Sequence, residues 1–186
     1  MENLISTRQR SQSMAAFVSS KILQIRKESI KQSLSDLNTV GHRQSYVATI
    51  DGVMYYDDSK AESVNATWFT FESIINPVVW IAGGHDTHAD FAELKPAVRR
   101  TVRALICIGK DEKLKSTFAR DIKEFYQADS IEEAVGIASV IAKKEDIVLF
   151  SPACRTGRGA ESNEERGNRY IESVKNMEQW ATEEKY

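Results

Sequence analysis

Asp57-Asp58-Ser59-Lys60-Ala61 decides how this chain is read. An alternating apolar run, Val53-Met54-Tyr55-Tyr56, precedes it, and a helical stripe of Val64, Thr67, Trp68, Phe71 and Ile75 follows. Such a polar turn between a strand and a helix is the unit from which βαβ folds are built. Upstream, Tyr46-Val47-Ala48-Thr49-Ile50 and Asp51-Gly52 complete a hairpin pattern. Asp-Gly tolerates the positive φ angles of a type I′ turn. Two further polar loops close apolar strands: Ile81-Ala82-Gly83-Gly84-His85-Asp86 and Phe150-Ser151-Pro152-Ala153-Cys154. Loops at the carboxyl ends of parallel strands form a shared ligand crevice in open α/β sheets. The expected site therefore joins Lys60, Asp86 and Ser151.

The rest of the pattern alternates. Buried strands are predicted over 78–82, 104–108 and 147–150, with a short edge strand at Phe125-Tyr126-Gln127. Helices are predicted over 94–102, with Pro96 in the first turn, over 111–122, and from Ser130 to Ile141. Ser130 and Glu133 have capping-box spacing. Tyr170, Val174 and Met177 stripe a C-terminal helix. Continuous apolar strands alternating with helices imply an α/β fold, a Rossmann-like doubly wound and mostly parallel sheet with an N-terminal β-hairpin. Before the linker Asn38-Thr39-Val40-Gly41, the spacing of Met14, Phe17, Val18, Ile22, Ile25, Ile30, Leu34 and Leu37 predicts a short helical appendage. The expected division is 1–40 and 41–186.

The chain has 186 residues, 41% hydrophobic and 28% charged, with net charge −2. That charge supplies no global field for nucleic acid or an anionic membrane. No apolar run reaches the ~18 residues of a spanning helix, and Met1 to Ser6 lack a signal-peptide core. Cys107 and Cys154 fall in or just after core strands, which suits reduced thiols in a cytoplasmic protein. No Gly-x-x-x-x-Gly-Lys-Ser/Thr loop is present, so the usual cradle for ATP phosphates is missing.

In order and spacing the three loops resemble the C-terminal domain of the Mur ligases, in the branch that adds D-glutamate to a peptidoglycan precursor using ATP. Asp58, Ser59, Lys60 and Ala61 match that branch's Asn-Asp-Ser-Lys-Ala-Thr-Asn stretch. Glu62 and Ser63 replace its threonine and asparagine. Gly83, Gly84, Asp86, Asp90 and Phe91 match a second motif, with Thr87 in place of its lysine. Ser151 to Cys154 match a third, after which Arg155, Thr156, Gly157 and Arg158 depart from it. Glu164, Arg166 and Gly167 match a fourth, with Asn163 in place of its tyrosine. Ser13 to Ala16 and Arg26 to Ile30 resemble the last helices of the family's central ATPase domain. Ser6, Arg8 and Gln9 stand where that domain meets the nucleotide.

The resemblance implies that Asp58, Ser59, Lys60, Asp86 and Ser151 bind an amino-acid substrate. It implies that His42 and Arg43 lie towards the nucleotide, and that ATP and Mg²⁺ serve the full-length family. It also implies a partner: an ATPase region that this chain does not supply. On that reading residues 1–40 are a remnant of the central domain, and the isolated chain is inactive, a truncated or diverged form. Two alternatives remain. Lys60 with the Arg155–Arg158 loop could hold an anion in a non-catalytic module. His85 and His88, with Asp86 and Asp90, could hold Zn²⁺ or Mn²⁺ in a metal-dependent enzyme, although no distant fourth ligand is evident. The bland alternatives are a solvated lysine, a polar turn and a flexible Gly-Arg loop.

Overall fold

The computed structural model describes residues 41–83, 89–156 and 161–183. The appendage expected over 1–40 lies outside them. The hairpin forms as predicted: β1 (Ser45–Ile50) and β2 (Val53–Asp57) pair antiparallel. Their turn has φ of 49° at Asp51 and 83° at Gly52, both positive, as a type I′ turn requires. The chain then runs through α1 (Val64–Ser73), β3 (Val78–Ala82), a 3₁₀ turn (Phe91–Leu94), α2 (Lys95–Thr101), β4 (Val102–Ile108) and α3 (Glu112–Phe118). It ends with β5 (Glu124–Ala128), α4 (Ile131–Ile141), β6 (Ile147–Phe150) and α5 (Asn163–Glu183). The six-stranded sheet has the order β1-β2-β6-β3-β4-β5, parallel except for the hairpin.

Strand pleating divides the core. Val79, Ile81, Ala104, Ile106, Val148 and Phe150 face one cluster with α4 and α5. Val78, Trp80, Leu105, Cys107, Ile147 and Leu149 face the other, with Phe71, Leu94, Val98, Leu114 and Phe118. That is the doubly wound arrangement, because a strand buried on both faces needs apolar residues at every position. Trp80 is fully buried, edge-on to Phe71 and Phe118, and its indole N–H donates to the Ser151 carbonyl at 2.7 Å.

Local corrections have local causes. Val102 belongs to β4, not to the preceding helix: it pairs with Val78, although its N–H still closes the helix on the Val98 carbonyl, and the Thr101 hydroxyl donates to the Ala97 carbonyl at 2.9 Å. The helix expected from Leu94 is split. Asp90 accepts from the Ala92 N–H at 3.1 Å and starts a 3₁₀ turn, and α2 begins only at Lys95, ahead of Pro96. Ile75, expected on the α1 stripe, lies beyond the helix and is 95% exposed. At α4 the Ser130 hydroxyl accepts from the Glu133 N–H as expected. The reciprocal Glu133 carboxylate, however, reaches the Asp129 N–H at 2.7 Å, one residue earlier than a capping box requires. At the amino edge of the sheet, Arg103 braces Asp146 at 2.7 Å and Glu124 at 3.2 Å.

Trp80→Phe should cost about 1–3 kcal/mol, since the Ser151 carbonyl loses its donor inside the core. Trp80→Ala should cost about 3–5 kcal/mol, from cavity formation. Urea unfolding of the chain and the two variants measures both.

Candidate functional site

Parallel pairing of β2 with β6, and of β6 with β3, brings three carboxyl ends side by side. The loops that leave them are laced together. The Asp58 N–H donates to the Phe150 carbonyl at 2.8 Å, Ser151 N–H to Ile81 at 3.1 Å, and Gly83 N–H to Pro152 at 3.2 Å. Ala153 N–H donates to Ala61 at 3.0 Å. Gly83 has φ of 116°, and a Cβ there would stand 2.6 Å from the Ile108 carbonyl oxygen, so this close approach requires glycine.

The β2 end carries two carboxylates with different tasks. Asp57 points to the α5 side. It is fully buried and bonds His42 Nδ1 at 2.6 Å and the Ser59 N–H at 2.9 Å. Asp58 points to the α1 side. Its Oδ2 accepts from the Thr70 hydroxyl at 2.7 Å and the Ser151 hydroxyl at 2.8 Å, and its Oδ1 accepts from the Gln44 N–H at 3.3 Å. Because Ser151 gives its proton to Asp58, the 2.8 Å contact between Thr67 and Ser151 has Thr67 as donor. Burial pushes the Asp58 carboxyl up to about 6; the Thr70, Ser151 and Gln44 hydrogen bonds and the charge of Arg43 pull the other way.

Lys60 follows. Its backbone N–H donates to the His42 carbonyl at 3.1 Å, which pins the residue while its side chain stays partly exposed. Among the described residues its ammonium has no ion-pair partner. Ser63 caps α1, accepting from the Ala66 N–H at 3.2 Å. The residue that departs from the family motif thus has a structural task here. Glu62 is half-buried beside it.

The structure brings together His42, Asp58, Ser59, Lys60 and Ser151 of the residues predicted from sequence. Asp58, Ser59 and Ser151 are fully buried, and the Asp58 and Ser151 side chains are spent on internal bonds, so in this arrangement they brace the loops. Arg43 is half-buried, its charge felt by Asp58. Arg155 is exposed, and Cys154 is a buried thiol. Asp86, with His85, Thr87 and His88, lies outside the described residues, as do Gly157 and Arg158. Among the described residues no cluster of His, Cys, Asp or Glu could hold a metal ion. The sequence carries no Gly-x-x-x-x-Gly-Lys-Ser/Thr phosphate loop.

Sequence reasoning passed over Asp57, Thr67 and Thr70 as site elements. Two threonines at i and i+3 on an otherwise apolar helix face were the available signal, since a buried hydroxyl needs a partner.

This edge-loop geometry on a doubly wound sheet defines the class, an open-sheet α/β domain whose candidate crevice lies at the carboxyl ends of its strands. A family model described as the Mur ligase glutamate ligase domain matches residues 42–154, and the chain belongs to that family. It is 39% identical over 166 residues to a UDP-N-acetylmuramoylalanine–D-glutamate ligase of Salinibacter ruber, covering 89% of this chain and 36% of the relative. With the enzyme of the same name from Christiangramia forsetii the identity is 40% over 165 residues, covering 88% and 37%. The chain thus spans little more than a third of the curated relatives it matches. In fold it is similar to the Thermotoga maritima MurF ligase in complex with ADP, with a TM-score of 0.52 at 16% identity over 74% of this chain and 32% of that one. E. coli FolC in complex with ADP gives 0.52 at 17% identity over the same shares. No helix among the described residues is long and apolar enough to cross a membrane.

Asp58 carries a pH signature. Its folded value lies above its ordinary 3.8, so its stabilising contribution is full below that value and is lost as pH rises through about 6. The loss amounts to up to about 3 kcal/mol. In Asp58→Asn, urea unfolding at pH 4 and pH 7.5 should show this part of the decline removed.

Proposed function

We propose that this domain receives the amino acid in a D-glutamate-adding ligation, with Lys60 as the cation that meets its carboxylate. The observation that supports this most is the placement of Lys60. Its backbone is anchored to His42, its ammonium has no ion-pair partner among the described residues, and it stands where the β2, β6 and β3 ends converge. A cation on an anchored backbone, with no counter-ion among the described residues, offers a charge-assisted contact to an incoming anion.

The chain's own residues would bind and orient; activation of the other substrate's carboxylate belongs to the ATPase region of the full-length ligase. ATP with Mg²⁺ supplies that activation in the family, and this sequence carries no Gly-x-x-x-x-Gly-Lys-Ser/Thr phosphate loop. In the proposed role, ordered loops hold the amino group of the bound amino acid towards the acyl centre, which converts an encounter into a positioned attack. The working compartment is the cytoplasm, and the partner is the ATPase region, supplied in the same polypeptide or in another.

Glu62 modifies the reading. A carboxylate two residues from Lys60 repels an acidic ligand and weakens the site. D-glutamate binding to the parent should therefore be weak. Glu62→Thr should tighten it about tenfold or more, and adding Lys60→Ala to that variant should abolish the gain. Calorimetric titration decides it; tight binding to the parent, or a gain that survives Lys60→Ala, contradicts the proposal. The 186-residue chain alone should release no phosphate from ATP in the presence of Mg²⁺, D-glutamate and the muramoyl-alanine precursor.

A further inference from the structure

We infer that Arg166, on the C-terminal helix, is the positioning residue that holds the Lys60 loop against the Ser151–Cys154 loop. The inference rests on the reading that Lys60 meets the ligand, but its test needs no ligand.

Arg166 is 5% exposed. Its guanidinium donates to the Ser59 carbonyl at 2.7 Å and to the Cys154 carbonyl at 3.4 and 3.5 Å. One side chain therefore grips both loops, next to Lys60 on one side and at the end of the β6 loop on the other. Among the described residues it has no carboxylate at ion-pairing distance; the charges of Glu62, Asp57 and Glu161 act on it only from farther away. Its Nε is buried without a partner. Burial pushes its pKa below the ordinary value, so the charge is held at a cost. An apolar side chain of similar volume would fill this space with less desolvation. What it could not do is bond two main-chain carbonyls from different loops in a fixed fork.

Other costs gather at the same junction. Ala153, a residue with a Cβ, sits at φ 60° and donates to the Ala61 carbonyl. Gly167 follows Arg166, and a Cβ there would collide with the Ser59 Oγ and His42 Nδ1. The helix thus approaches so closely that only glycine fits, and the Ser59 hydroxyl is buried without a partner. Strain and unpaired polar atoms concentrate where a structure holds a functional geometry. All of these surround the segment that presents Lys60.

Residue-resolved amide hydrogen exchange by NMR on the chain, Arg166→Met and Arg166→Lys tests this. In Arg166→Met the amides of Lys60 and Ala153 should exchange about tenfold faster or more, while those of β3 and β4 keep parent rates. Arg166→Lys, whose single ammonium cannot fork between the two carbonyls, should give a smaller rise at the same two amides. A uniform rise across the sheet would reduce Arg166 to general stability, and unchanged Lys60 and Ala153 rates would remove its role; either overturns the inference. If Arg166→Met does not fold, the same three outcomes in Arg166→Lys decide. Failure of D-glutamate to bind would count against the ligand role of Lys60 alone, since exchange is read on the unliganded protein.

Discussion

Everything at the candidate site depends on the parallel pairing of β2 with β6. This is where the hairpin is grafted onto an otherwise continuous βα repeat. Asp57 lies opposite Phe150, so the next residues along each strand, Asp58 and Ser151, emerge together. A one-residue slip would exchange the faces of Asp57 and Asp58, because side chains alternate along a strand. The His42 contact and the Thr70–Asp58–Ser151 chain would then both be lost. Register here is held by the apolar faces of β6, buried on both sides, and by the Asp58 N–H to Phe150 carbonyl bond.

The site is expensive for a small domain. A carboxyl buried without a cation in hydrogen-bonding reach among the described residues, a guanidinium buried against carbonyls and a left-handed alanine all lie within one loop junction. None is the most stable choice for its position. The amino edge of the same sheet is different: there Arg103 faces Asp146 and Glu124, and opposite charges meet directly. That asymmetry separates the ends of the sheet into one built for cohesion and one built to hold loops in place.

The fold was legible because the core pattern is redundant. Strands such as Val78–Ala82 and Ile147–Phe150 are apolar throughout, and Asp51-Gly52 marks its turn without help from tertiary context. Helix edges were less legible: Thr101–Val102 passes from helix to strand without a glycine or proline, and only pairing with Val78 sets the boundary. The site was legible in part. Lys60 was visible from its place after a strand. The inward turn of Asp58 and Ser151 was not, since it depends on Thr67 and Thr70 from a helix whose face reads as apolar. Arg166 was visible through its family motif, yet its task needed the fold, because its carbonyl partners lie 12 and 107 residues away.

The role proposed for Lys60 puts an acidic amino acid at the carboxyl edge of the sheet. Amide chemical-shift mapping during a D-glutamate titration tests it most directly, since it registers weak binding and locates it. Binding there should shift only the amides of Lys60, Ala61 and Glu62 and of Ser151 and Ala153 to Arg155, with saturation in the high concentration range. Shifts centred instead on the amino edge, around Asn76, Arg103 and Asp146, or no saturating shift at Lys60, would contradict it.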